Sequence, residues 1–230
     1  LSRGLGDVYK RQAVSNYPQF AIGLGKTVLL DQDFNIEGFK QIMEKDIYTE
    51  LHEFQYLDDD TVIQIGSKTH KFQNQKVESG IISIENEQKG TKFLWDSIDH
   101  VSPEFSKVPT KEWRMNTNDY FHMNAVRILK DGNYLASARH TQTIMKIDKI
   151  SGKILWHMGK GKLNNFRFVD DPYDGFSHQH APEELDNGNI LIWDNGIDSI
   201  KNGSRVVEYK IDETSYTATL VWSKEFKNLQ

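Results

Sequence analysis

Short runs in which hydrophobic and polar residues alternate recur along the chain, and turns rich in Asp, Asn and Gly separate them. Alternation with a period of two predicts β-strands, because successive side chains of a strand point to opposite faces. The turns "KDGN" and "DNGN" place Gly132 and Gly188 where a tight hairpin requires a positive φ. Only the segments 36–51 and 111–115 could hold a helical turn. The pattern therefore predicts an all-β fold.

The strand and turn pattern repeats about every 60 residues, a spacing that suits four-stranded propeller blades with long loops. Complete copies span His52–Trp95, Asn124–Trp156 and His180–Trp222, and Lys26–Phe39 matches the second half of a copy. The repeat predicts a β-propeller rather than a sandwich. Because about three and a half blades do not close a ring of the usual roughly four to eight, we predict a partial propeller whose natural chain continues beyond Gln230.

Each complete copy closes with a tryptophan, and Trp95, Trp156 and Trp222 occupy one equivalent position. Large aromatic side chains at equivalent points of a repeat mostly pack between neighbouring sheets. We therefore expect all three side chains to be buried.

Composition excludes several classes of protein. Of the 230 residues, 37% are hydrophobic and 27% are charged, which suffices for a sizeable core and is unlike a disordered tail. No apolar run approaches the roughly 20 residues of a membrane span. The net charge of -5 is spread without long blocks and gives no reason to expect a nucleic acid as partner. The absence of cysteine excludes disulfides, thiolate metal sites and thiol catalysis.

The first twelve residues, "LSRGLGDVYKRQ", look foreign to the rest, because one reading frame of a transposase-type sequencing adapter encodes Ser2 to Gln12. We predict that residues 1–12 are translated adapter on a fragmentary, metagenomic sequence, and such a segment is left out of fold reasoning. Residues 13–230 are then a fragment of a β-propeller catalytic domain. A start of this kind carries no information about a signal peptide.

Superposing the copies at the leucine before each turn brings several polar side chains into register. His52, Asn124 and His180 share one equivalent position, and His122 and His178 share another, two residues earlier and on the same face. Equivalent positions in successive blades face a common channel, so these groups are expected to converge on one pocket. Histidines there could be metal ligands, a nucleophile with its neighbour, or a polar rim.

Arg139 is predicted to join this group, because it ends the strand "YLASAR" on the side of Leu135 and Ser137. A guanidinium group suits sulfate, phosphate or carboxylate. It also opposes a metal site, since it repels a divalent cation. His140 should face away from Arg139, and we expect it to be structural.

In the third copy, Pro182 restricts the preceding Ala181 to extended conformations and so should hold His180 at a strand entry. A histidine fixed there could accept a group at a ring nitrogen, provided that it is neutral when it attacks. Register alone does not rank His178 and His180 as the nucleophile.

Three segments resemble those of bacterial arylsulfate sulfotransferases, the group that does not use a nucleotide sulfate donor. They are "HEFQYL", "HMNAVRILKDGNYLASARHTQTIMKIDKISGKILW" and "QHAPEELDNGNILIWDNG", and the resemblance runs from about Lys26 to Trp222. It implies a six-bladed propeller with a funnel-shaped site, usually periplasmic or membrane-associated. It also implies that a sulfuryl group passes from a phenolic sulfate ester to a phenol through a sulfohistidine intermediate.

The resemblance assigns roles by position. His180 is the implied nucleophile, and the implied sulfate binders are His52, His122, Asn124 and Arg139. Of these we expect His52, His122 and Arg139 to take part in catalysis, and Asn124 to bind substrate together with His178. The implied partners are a phenolic sulfate donor and a phenol acceptor, with no cofactor and no metal, in the periplasm or outside the cell.

Two other functions remain open at this point. Because a fold alone does not fix function, the chain could be a non-enzymatic β-propeller that binds ligands or proteins. The histidines would also fit a metal hydrolase. The joint presence of all five carried-over polar positions favours the sulfotransferase.

Overall fold

The computed structural model describes residues 11–15, 25–57, 61–86, 88–107, 117–198, 200 and 203–227. Regular structure in these residues consists of β-strands and two short 3-10 turns, Ser97–Asp99 and Pro103–Phe105. The all-β prediction is therefore confirmed. No helix among the described residues has the length and apolar character needed to cross a membrane.

The chain divides into two compact units. The first comprises Leu1–Thr69 and Ile81–Trp95, and the second comprises His70–Gly80 and Asp96–Gln230. In chain order the strands are β1 (Arg11–Ser15), β2 (Gly25–Leu30), β3 (Ile36–Lys40), β4 (Ile47–Tyr56), β5 (Thr61–Phe72), β6 (Gln75–Asn86), β7 (Gly90–Asp96), β8 (Thr117–Asp119), β9 (Met123–Ile128), β10 (Tyr134–Ala138), β11 (Thr143–Ile147), β12 (Ile154–Gly159), β13 (Arg167–Val169), β14 (His180–Glu184), β15 (Ile190–Asp194), β16 (Gly203–Asp212) and β17 (Thr217–Lys227).

The first unit contains the partial copy and most of the first complete copy. Strands β1, β2 and β3 form a three-stranded antiparallel sheet. Strands β4 to β7 form a sheet in sequence order, as a blade requires. Segment 36–51 contains β3, a turn and the start of β4 rather than a helical turn, and segment 111–115 lies outside the described residues. The same holds for residues 1–10, so the adapter assignment of 1–12 stays a prediction.

The second unit contains the other two copies, each as a four-stranded antiparallel sheet. Strands β9 to β12 form one, and β14 to β17 form the next, to which β13 adds in parallel along β17. The two predicted hairpins have the same geometry. Gly132 and Gly188 take φ values of 83° and 82°, and their N–H groups donate to Leu129 O and Leu185 O at 2.8 and 2.9 Å.

The core of the second unit joins these two sheets. Buried side chains of β10 to β12 and of β15 to β17 form one cluster, which includes Leu135, Ile144, Met158, Ile192, Val207 and Tyr209. Successive four-stranded antiparallel sheets packed face to face are the arrangement of propeller blades. The fold is thus all-β and of the β-propeller class, as the repeat predicted.

The closing tryptophans do not all behave as expected. Trp95 and Trp156 are 2% and 4% exposed and lie in the core, whereas Trp222 is 49% exposed. The prediction that Trp222 packs between sheets is wrong for the described chain, because residues 221–225 of β17 are all exposed there.

Candidate active site

The turn before β9 is organised by one carboxylate, that of Asp119. Its Oδ1 accepts the backbone N–H of His122 at 2.9 Å, and its Oδ2 lies 2.6 Å from Nδ1 of the same histidine. His122 has a φ of 51°, in the left-handed region that residues other than glycine rarely adopt. Because a carboxylate only accepts hydrogen bonds, Nδ1 of His122 carries a proton. Asp119 therefore fixes both the backbone turn and the ring of His122.

His140 was predicted to face away from Arg139 and to be structural, and its ring lies beside that of His122. Its ring centroid is 4.4 Å from that of His122, and its Nδ1 donates to the backbone oxygen of Asp119 at 2.6 Å. The alternation that predicted its direction does not apply, since β10 ends at Ala138 and a turn follows. Burial lowers the pKa of His140 to about 4, so its ring is neutral at pH 7.

Arg139 follows β10 directly, and its backbone is hydrogen-bonded to the turn that contains His122. Its backbone N–H donates to His122 O at 3.0 Å. The side chain is half-buried, and burial lowers the pKa of Arg139, although the carboxylates of Asp119 and Asp198 oppose the shift. Among the described residues, the guanidinium group makes no hydrogen bond or ion pair. An arginine so placed is suited to an anion from outside the chain.

His178 occupies the corresponding turn before β14, with a φ of 52°. Its Nδ1 is 3.4 Å from Nε2 of Gln142 and 3.8 Å from Oδ2 of Asp198. Burial lowers the pKa of His178, and the positive charge of Arg139 lowers it further, with a smaller effect from His122. The structure thus brings His122, Arg139 and His178 within electrostatic range of one another.

His180 begins β14, and its ring is held through Nδ1. That atom lies 3.1 Å from Nδ2 of Asn195 and 3.3 Å from the backbone oxygen of His178. Nδ2 of Asn195 also donates to His178 O at 2.6 Å, while its Oδ1 accepts from Nε1 of Trp193 at 2.7 Å. Because an indole N–H only donates, it fixes the orientation of the Asn195 amide. Asn195 is a contact of the site that sequence reasoning missed.

His180 is at a strand entry, as predicted, but Ala181 does not have the extended conformation that Pro182 led us to expect. Ala181 has a φ of 47°, and the pairing of β14 with β15 shifts register between His180 and Glu183. The expected restriction on Ala181 is overcome by this bulge, which lets the chain turn His180 away from a regular ladder.

Asn124, at the start of β9, serves at least in part as a link to the next sheet. It is 4% exposed, and its Nδ2 donates to the backbone oxygen of Gln179 at 2.8 Å. Gln179 in turn is fully buried, and its Nε2 donates to Ser137 Oγ, Ala138 O and Thr143 O at 3.0, 3.1 and 2.9 Å. Oδ1 of Asn124 is buried and accepts no hydrogen bond from the described residues.

A buried ion-pair network supports the loop that carries His178. Oδ1 of Asp194 accepts the backbone N–H groups of Ser177 and Gly196 at 2.9 and 2.8 Å. Its Oδ2 accepts Nε of Arg205 at 2.9 Å, and Nη1 and Nη2 of Arg205 donate to Asp171 at 2.8 and 3.0 Å. The network ties the His178 loop to strands β15 and β16.

His52 belongs to the first unit and lies on β4, inside a register shift between Thr49 and Phe54. Its Nδ1 is 3.4 Å from Oε2 of Glu50, and its side chain is 18% exposed. The other five predicted site residues all belong to the second unit.

The chain is similar to one family of enzymes. A profile described as arylsulfotransferase (ASST) matches residues 32–228. The chain belongs to this family. No curated protein matches the chain significantly.

Solved structures give distant likenesses. The β-propeller domain of Cps50 (Swd1) from Myceliophteria thermophila is 9% identical, with 90% of this chain and 68% of that chain covered and a TM-score of 0.40. A protein of unknown function from Bacteroides caccae is 11% identical, with 87% and 90% covered and a TM-score of 0.36. Virginiamycin B lyase from Staphylococcus aureus is 12% identical, with 95% and 74% covered and a TM-score of 0.39. The fold assignment rests on the sheets described above and not on these likenesses.

Membership of the arylsulfotransferase family supports sulfotransferase activity on aryl sulfates in general terms. The second unit has the groups that such chemistry uses, namely a half-buried guanidinium group and several histidines around it. Neutral imidazole is a nucleophile, and fixed donors stabilise the negative charge that leaves.

One cluster in the second unit could also hold a metal. Asp119, His122 and His140 each offer a ligand atom, and these atoms lie within 4.8 Å of one another. However, Nδ1 of both histidines is already hydrogen-bonded to Asp119. A metal would have to use the other ring nitrogens, with Asp119 supporting the histidines from behind, or displace these bonds.

Proposed function

We propose that the chain transfers a sulfuryl group from a phenolic sulfate ester to a phenol, through a sulfohistidine formed at His180. The observation that carries the proposal is the state of Arg139, a half-buried cation whose guanidinium group makes no hydrogen bond or ion pair with the described residues. Withdrawing a charge from water without a partner is costly. A bound sulfate ester would supply the missing anion.

The neighbours of Arg139 fit a sulfate better than a carboxylate from the chain itself. His178 and His122 lie in its electrostatic range, and burial together with Arg139 lowers the pKa of His178. His178 is therefore uncharged near neutral pH, and it can line the site without adding another buried charge. Asp198, one of the two carboxylates that act on the pKa of Arg139, is half-exposed and is held by the amide of Gln142.

The transfer proceeds in two displacements. In the first, a ring nitrogen lone pair of neutral His180 attacks sulfur, an N–S bond forms, and the S–O bond to the aryl group breaks with its electron pair on the phenolate. In the second, the oxygen of a phenol attacks sulfur, the N–S bond breaks, and the phenol proton is released to a base. A covalent intermediate predicts ping-pong kinetics.

The remaining residues take supporting roles in this proposal. Arg139 and His122 hold the sulfuryl oxygens, and His122, as the imidazolium, can give a proton to the departing phenolate. His178 lines the sulfate site from the adjoining sheet and Asn124 lines it from β9. The buried Oδ1 of Asn124 only accepts hydrogen bonds, so it suits the hydroxyl of the phenol rather than a sulfuryl oxygen. We place the enzyme in the periplasm or outside the cell, on the strength of the family resemblance.

The test is to incubate the chain with 4-nitrophenyl sulfate and a phenol and to map any added mass. We expect release of nitrophenolate, a sulfated phenol, and a peptide carrying one added SO₃ group on His180. His180→Ala should abolish the labelled peptide, whereas His178→Ala, a matched change two residues away, should leave His180 labelled. Label on His178 would contradict the choice of nucleophile. Absence of both transfer and label would contradict the function itself.

The cluster of Asp119, His122 and His140 favours a second candidate, a metal-dependent hydrolase. This function requires a divalent ion for activity, whereas sulfuryl transfer through histidine does not. Metal analysis of the purified chain and assays with and without chelator separate the two. Hydrolysis of the sulfate ester that is lost on chelation and restored by zinc would favour the hydrolase.

A further inference from the structure

Asp119 contacts the candidate site through all three of its oxygen atoms. Oδ1 accepts the His122 backbone N–H at 2.9 Å, Oδ2 lies 2.6 Å from His122 Nδ1, and the backbone oxygen accepts Nδ1–H of His140 at 2.6 Å. The residue is 5% exposed, so these contacts are shielded from water. No role follows for Asp119 from the repeat or from the family resemblance.

We propose that Asp119 is a positioning residue that keeps one proton of His122 on Nδ1, so that Nε2 is the nitrogen that gains and loses the second proton: as Nε2–H of the imidazolium it donates to a sulfuryl oxygen or to the departing phenolate. The proposal rests on the proposed function, because it concerns the same site. It assigns one task to each ring nitrogen: Nδ1–H stays with the carboxylate, and proton exchange with substrate takes place at Nε2.

The geometry favours this tautomer for two reasons. A carboxylate accepts hydrogen bonds and cannot donate one, so the close approach of Oδ2 to Nδ1 needs a proton on Nδ1. Hydrogen bonds to an ionised partner are also short and strong, in keeping with 2.6 Å. A histidine ring nitrogen that is bound in this way leaves the other nitrogen for the ligand.

His140 reinforces the arrangement without competing for the carboxylate. Its Nδ1–H is taken by the backbone oxygen of Asp119, at 2.6 Å, while its distance to Oδ2 is 4.0 Å. Its ring lies 4.4 Å from that of His122, with a tilt of 35°, and so restricts rotation of the His122 ring. Removing the Asp119 carboxylate should therefore change the tautomer of His122 before it changes the packing of the turn.

The test measures the tautomer directly, by ¹⁵N NMR of the histidine rings in the full chain. We expect wild-type His122 to be protonated on Nδ1. Asp119→Asn places an amide beside the ring, and donation from that amide to Nδ1 should move the proton of neutral His122 to Nε2. Sulfuryl transfer should fall about 10- to 100-fold in kcat, as is typical when such a support is lost, with KM little changed.

Asp148→Asn is the matched control, because Asp148 also accepts backbone N–H groups, of Ile150 and Ser151, but in an exposed turn outside the site. It should change neither the tautomer of His122 nor the rate. If Asp119→Asn does not fold, the tautomer of His122 in the wild-type spectrum is by itself the test of the proposal. Wild-type His122 protonated on Nε2 alone would overturn the proposal, and so would Asp119→Asn with an unchanged tautomer. Wild-type protein with the expected tautomer but without sulfuryl transfer would overturn only the proposed function.

Discussion

Arg139 and Arg205 belong to the same unit, but their surroundings are opposite. Arg205 is 1% exposed, and its guanidinium group donates to Asp171 through Nη1 and Nη2 and to Asp194 through Nε. Burial alone would lower the pKa of Arg205, but these hydrogen bonds outweigh it and raise that pKa. For Arg139 burial prevails and lowers the pKa, and its guanidinium group has no hydrogen bond within the described chain.

The contrast separates a structural charge from one that we propose to be functional. A buried cation that is paired with carboxylates of its own chain contributes to holding the fold, because removing the cation leaves those carboxylates buried without a counter-charge. A cation that is partly withdrawn from water and left without hydrogen bonds is poised for an external anion. The same residue type can therefore be assigned to folding or to binding by its partners rather than by its burial.

The largest expected effect is on stability, for Arg205→Ala. The change strands the carboxylates of Asp171 and Asp194, whose side chains are both 0% exposed. We expect the free energy of unfolding in urea to fall by about 3–5 kcal/mol. Arg167→Ala, which removes an exposed arginine of β13, should change it by less than about 0.5 kcal/mol. Equal effects of the two changes would remove the basis of the comparison.

Arg139→Ala should show the reverse pattern. Loss of a donor that stabilises transferred charge typically lowers kcat about 10²- to 10³-fold, and we expect the rate of sulfuryl transfer to fall by this factor. The free energy of unfolding should stay within about 0.5 kcal/mol of wild type. Arg139→Lys keeps the charge without the planar fork and should recover part of the rate. A loss of stability like that of Arg205→Ala would mean that Arg139 is a structural residue.

His140 extends the comparison to a buried group that avoids charge altogether. Burial lowers its pKa from 6.5 to about 4, so below pH 6.5 the unfolded chain binds a proton before the folded chain does. Its contribution to stability is complete above that pH and is lost as the pH falls towards 4. The full loss is about 3 kcal/mol.

The variant His140→Gln isolates this contribution, since glutamine keeps a donor but does not titrate. Urea unfolding of wild type and variant should be compared at several pH values across that interval. We expect the wild-type free energy of unfolding to decline more steeply than that of the variant as the pH falls. Parallel curves would show that His140 is not kept neutral by the fold.

The sequence predicted what depends on local chemistry. The hairpins at Gly132 and Gly188 require positive φ, and both glycines have it, at 83° and 82°. The register of the repeat placed His122 and His178 at one equivalent position, and their φ values are 51° and 52°. A repeat encodes such agreement because each copy has to form the same strands and turns.

The partners of these residues could not be predicted to the same extent. Asn195 meets the ring of His180 only because β15 folds back along β14, and Gln179 is defined by contacts with β10 and the start of β11. The contact between Asp119 and His122 could have been predicted, since an Asp three residues before a histidine can close a local turn. The contact of His140 with His122 could not be predicted from alternation, because alternation holds only inside a strand and β10 ends at Ala138.

Asn124 gives the smallest predicted effect and tests whether the same distinction holds for an uncharged group. Its Nδ2 is paired with Gln179 O, like the donors of Arg205, whereas its buried Oδ1 accepts nothing from the described residues. Asn124→Ala strands the Gln179 oxygen and should lower the free energy of unfolding by about 1–3 kcal/mol. Asn74→Ala, in an exposed turn, is the control. Because the pairing of Nδ2 governs folding, whereas Oδ1 would accept the hydroxyl of the phenol, KM for the phenol acceptor should also rise in Asn124→Ala. If stability falls but KM is unchanged, Asn124 is a structural residue, as Arg205 is.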